Sequence, residues 1–73
     1  MKKPLVVQSI NDASGDRCVD ILDTGHGFSF VECRRDAEDN HGWRPLAPAR
    51  GLFASAVEAR LKATEAVAWM EHV

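Results

Sequence analysis

Short β-branched or alternating apolar stretches separated by polar turns fill the first part of the chain, and a helical spacing takes over near its end. Residues 5–10 (LVVQSI) predict a first strand, rich in β-branched side chains. Residues 11–16 (NDASGD) form a turn cluster, in which short polar side chains bond their own backbone. Residues 17–23 predict a second strand, residues 24–27 (TGHG) a tight turn, and residues 28–35 a third strand. Residues 36–42 read as a polar loop and residues 43–46 as a short fourth strand, which Pro45 either confines to a sheet edge or ends. Residues 47–51 read as a linker.

Ser55 and Glu58 fit a capping box, so a helix is expected from about Ala56 to about Glu71, with a Glu58–Lys62 pair on its surface. At 100° per residue, Ala56, Ala59, Ala63, Ala66, Val67 and Met70 share one face, small enough to lie close against a sheet. Val57, Leu61 and Ala68 form a second apolar edge. Trp69 falls among the polar positions, at odds with the pattern.

If Gly25 and His26 are the hairpin loop, positions in the second and third strands pair with a constant sum. Cys18 then faces Cys33, Asp20 faces Val31, Ile21 faces Phe30, Arg17 faces Arg34 and Asp16 faces Arg35. The face with Val19, Ile21, Phe28 and Phe30 is the more apolar and should meet the helix. The other carries Cys18, Asp20, Leu22, Ser29, Val31, Cys33 and Arg35. The fold class expected is α+β: a three- to four-stranded antiparallel meander in a single domain, 1–73, with one C-terminal helix packed on one face.

Composition narrows the function classes. A chain of 73 residues is too short for a nucleotide-binding α/β enzyme or a TIM barrel. No apolar run approaches the roughly 20 residues of a membrane span, and the apolar stretch after the basic start stops at Gln8, short of a secretory signal. Two cysteines are too few for a disulfide scaffold, which points to a reducing compartment and a cytoplasmic protein. A formal net charge of −2 counts against a generic nucleic-acid binder. A domain this small buries a modest share of its surface, so a homodimer is expected.

The chemistry-bearing residues form no catalytic pattern. Cys18, Cys33, His26 and His41 lack the ligand spacing of a zinc site, so no metal and no cofactor is expected. The cysteines read as two thiols facing each other across a hairpin, with a disulfide as the alternative. His26 has no triad partners and reads as a turn residue, with its backbone relieved by neighbouring glycines. Arg34 and Arg35 are candidates for anion contact, against the plainer reading that one pairs with Asp16 or Glu32. Trp43 and Trp69 are candidate interface anchors, against the plainer readings that Trp43 packs on a sheet face and that Trp69, at a frayed helix end, folds inward over the core rim. Trp43, Arg44, Arg35, Arg34 and Trp69 make up the expected interaction surface.

The stretches 27–36 and 42–45, with Phe53-Ala54-Ser55 leading into an Ala-rich helix that ends at Ala68-Trp69, resemble small bacterial β-sheet-plus-helix proteins of unknown function. The likeness covers residues 17–70 and implies a shape, not a chemistry. More distantly, three strands followed by an Ala-rich helix are similar to AP2-type DNA-binding domains and the arm-binding domains of phage-type integrases. That resemblance implies DNA contact by Arg17, Arg34, Arg35 and Arg44 on the sheet. Asp20, Asp23, Glu32, Asp36, Glu38 and Asp39, interleaved with them, depart from it. The leading expectation is a non-catalytic binding or assembly module, a homodimer or the partner of another protein, associating through the open sheet face or the fourth strand. Nucleic-acid binding through the sheet is the alternative.

Overall fold

The computed structural model describes residues 3–35 and 42–72. Five strands and a helix follow in order: β1 (Leu5–Asn11), β2 (Arg17–Asp23), β3 (Phe28–Arg35), β4 (Trp43–Pro45), β5 (Arg50–Phe53) and α1 (Ala56–Ala66). A 3₁₀ segment, Ala68–His72, closes the chain. The expected α+β fold is what forms: an antiparallel sheet with one helix and its 3₁₀ extension packed on one face.

The β2–β3 register is the expected one. Cys18 lies opposite Cys33, Asp20 opposite Val31 and Ile21 opposite Phe30. The hairpin closes through Thr24 N–H to the Gly27 carbonyl at 2.9 Å. In this loop positive φ is needed only at Gly25 (86°), a conformation that glycine adopts without cost. His26 has no positive φ, so it owes its place to the residue before it and not to a tolerance of its own. β1 pairs with β2 through a bulge between Val6 and Gln8.

Residues 47–51 are not wholly a linker. Arg50 and Gly51 open β5, which pairs with the first half of β3, while β4 pairs with the second half. Two short strands thus share one edge of β3. The Phe53 ring stacks on Phe30 at 6.1 Å between centroids and 11° between planes. It also lies directly over Gly51 (φ 93°), in the space a Cβ would occupy.

The core is Ile10, Val19, Ile21 and Phe30 from the sheet against Ala59, Ala63, Val67 and Met70. Ala59 and Ala63 are fully buried, as the small-residue stripe predicts, but Ala66 is exposed. Ser55 caps α1 by accepting from Glu58 N–H at 3.1 Å. Glu58 reaches back one residue further than a capping box requires, to Ala54 N–H at 3.0 Å. Its carboxylate is thereby engaged, and Lys62 pairs with Glu65 at 3.4 Å.

The helix ends five residues before the expected Glu71. Val67 is extended (φ −111°, ψ 108°), and Met70 N–H then bonds the Val67 carbonyl at 3.0 Å. A continuous helix would turn Trp69 to solvent. The break instead brings its indole N–H to Glu32 Oε2 at 2.8 Å and keeps Met70 in the core.

Candidate functional site

Side chains alternate across the sheet, so the residues that do not face the helix line a second, open face. The pairings place Val6, Leu22 and Ser29 in one row, Ser9, Asp20 and Val31 in the next, then Asn11, Cys18, Cys33 and Pro45, and finally Arg35 with Trp43. Cys18, Cys33 and Ser29 are buried even here, because short side chains sit below the level of their larger neighbours. Ser29 Oγ, in a residue only 3% exposed, has no hydrogen-bond partner among the described residues.

The thiols are free and directly opposed, and Asp20 joins them on the same face. The Cys18 thiol donates to Asp20 Oδ1 at 3.8 Å, and Ser9 Oγ–H donates to the same oxygen at 2.7 Å. Burial, the Asp20 charge and Cys33 push the Cys18 thiol up to about 12. Burial and Asp20 raise Cys33 as well. In the metal-free protein both thiols are thus held protonated at neutral pH, unlike catalytic cysteines, whose pKa is lowered.

The five residues expected to form an interaction surface do not converge. Arg35 and Trp43 lie on the open face, with the guanidinium 5.6 Å from the ring centroid and 3.8 Å from Asp16. Arg34 and Arg44 are register partners on the helix side, in line with Arg17. Trp69 is also on the helix side, bonded to Glu32. The physical reason is pleating: Arg34 and Arg35 are sequence neighbours and therefore point to opposite faces. Trp69 joins the core rim through the helix break. The four arginines of the DNA-binding likeness are divided the same way, with Arg17 held by Glu32 at 3.5 Å. His41 lies outside the described residues.

A different surface stands out. β1 forms one border of the sheet, and among the described residues nothing pairs with its outer side. Its first three residues, Leu5, Val6 and Val7, are 68%, 55% and 50% exposed. From Leu5 to Asn11 it carries no charge and no proline, two of the features that guard an edge strand; its bulge between Val6 and Gln8 is a third, and it is present. Inward and outward backbone groups alternate along it. Asp12 N–H bonds the Arg17 carbonyl at 3.0 Å, so with alternation Ser9 and Asn11 turn their amide and carbonyl groups outward. Pattern reading identified β1 as a strand; that it lies at an edge follows only from the strand order.

Pockets are small. One between the sheet and the helix end, lined by Phe30, Glu32, Pro48, Arg50 and Val67, holds about 40 Å³, and one beside Leu5 and Asp23 about 120 Å³. Both fall below the roughly 300 Å³ of small-molecule sites. Comparison of the chain with protein-family models, with curated proteins and with solved structures finds no match.

Proposed function

We propose that this chain is a small assembly module, not an enzyme, and that it self-associates through antiparallel pairing of the β1 edges of two copies. The observation that carries this reading is the exposed outer edge of β1, which bears no charge and no proline and begins with three exposed apolar residues. An edge of this kind is a template for a further strand.

One register keeps like faces together along the whole of β1. Leu5 lies on the helix side with Ile10, and Val6 on the open side with Ser9, because the bulge shifts the alternation. A two-fold axis near the bulge that keeps like faces together places Leu5 opposite the partner's Ile10 and Val6 opposite the partner's Ser9. It also sets Lys3 beside the partner's Asp12, so unlike charges meet at both ends and no like charges meet between. Both sheets then continue as one, and the open faces form a single surface. Association through the β4 edge has less support, since β4 is three residues long and ends in Pro45.

The test is sedimentation equilibrium of the full chain and of Val7→Lys, which places a gatekeeping charge on the edge. The wild type is expected as a dimer. The variant is expected as a monomer, with the far-ultraviolet circular dichroism of the fold retained. A wild type that stays monomeric at hundreds of micromolar overturns the reading.

A further inference from the structure

We propose that Cys18, Asp20 and Cys33 form a zinc(II) site on the open face of the sheet. Strand pairing, not sequence spacing, brings them together: the cysteines are opposed across β2 and β3, and Asp20 is the next residue along β2 on the same face. One ligand atom from each lies within 4.8 Å of the others. In a tetrahedral site with zinc–sulfur distances of about 2.3 Å and zinc–oxygen distances of about 2.1 Å, the sulfur–oxygen edge is about 3.6 Å. The Cys18–Asp20 pair is already at 3.8 Å. Closing the set therefore takes side-chain movements of about 1 Å at most, without moving the strands.

The surroundings fit a cation. The Asp20 carboxylate and two groups that become anionic on binding face one another. The neighbouring arginines are engaged elsewhere, Arg35 with Asp16 and Arg17 with Glu32. Ser9 Oγ–H holds the Asp20 carboxylate at 2.7 Å, the kind of outer hydrogen bond that orients a metal ligand. Two thiolates and a carboxylate suit zinc in preference to calcium or magnesium, which take oxygen donors. On binding, each thiol gives its proton to solvent: one zinc(II) ion enters, two sulfur–zinc bonds and one oxygen–zinc bond form, and two protons leave.

The test uses the full chain, kept reduced, with cobalt(II) as a spectroscopic stand-in for zinc. The expected result is a thiolate-to-cobalt charge-transfer band that saturates at one metal per chain and is abolished by added zinc. Cys33→Ser should lose most of the band. Asp20→Asn, at a partly exposed position that leaves both thiols in place, should keep it but bind at least about tenfold more weakly. Circular dichroism of each variant separates loss of binding from loss of folding. Absence of the band in the folded, reduced wild type overturns the proposal. So does Asp20→Asn binding with wild-type affinity, or saturation at one metal per two chains. The outcome is independent of the oligomeric state measured by sedimentation.

Discussion

Ser29 and Gly51 show how much single positions carry in a domain with so small a core. Ser29 is buried with an unbonded hydroxyl. A polar group buried without a partner costs about 1–3 kcal/mol. Ser29→Ala is therefore expected to leave stability unchanged or raise it by about 1 kcal/mol; a clear loss in urea denaturation would show that the hydroxyl is bonded in solution. Gly51 combines positive φ with the Phe53 ring seated on its Cα. Gly51→Ala is expected to destabilise by roughly 1–3 kcal/mol, from backbone strain alone, and more if the ring must move. A melting curve like the wild type's would mean that β5 does not hold this geometry. Neither role is legible in the sequence. A serine on a mixed sheet face reads as exposed, and a glycine between two prolines and a helix reads as a linker.

At the scale of elements, what the sequence revealed depended on whether the cause was local. The β2–β3 register follows from the Gly25-His26 loop and the alternation around it, and both are written in adjacent residues. The Ser55 cap and the Ala59/Ala63 stripe are local too, and both are in the fold. Ala63→Leu should overpack this contact and cost roughly 1–3 kcal/mol, checked by thermal unfolding; no change would mean that α1 does not lie tight on the sheet. The helix break at Val67 was not legible, because its cause is tertiary: Glu32, on β3, receives the Trp69 indole. The misfit of Trp69 with the helical pattern was the one available sign. β5 was missed for the same reason, since its stabilising contact is with Phe30, more than twenty residues away.

For the whole molecule, the sheet order decides which surfaces matter. The candidate interaction residues Trp43, Arg44, Arg35, Arg34 and Trp69 were chosen by residue type, and pleating and the helix break distribute them over two faces. The β1 edge emerges only when strands are placed side by side, whereas the opposition of Cys18 and Cys33, with Asp20 on the same face, already follows from the hairpin register. The central claim is that β1 of one copy pairs with β1 of another, and amide hydrogen exchange resolved by residue tests it most directly. The Ser9 and Asn11 amides point away from β2, so in a monomer they meet solvent and exchange quickly. The account predicts that protection at Ser9, and more weakly at Asn11 near the end of the paired segment, rises with protein concentration in step with the dimer fraction. Rapid exchange at both positions in a sample shown to be dimeric would contradict it and place the interface elsewhere.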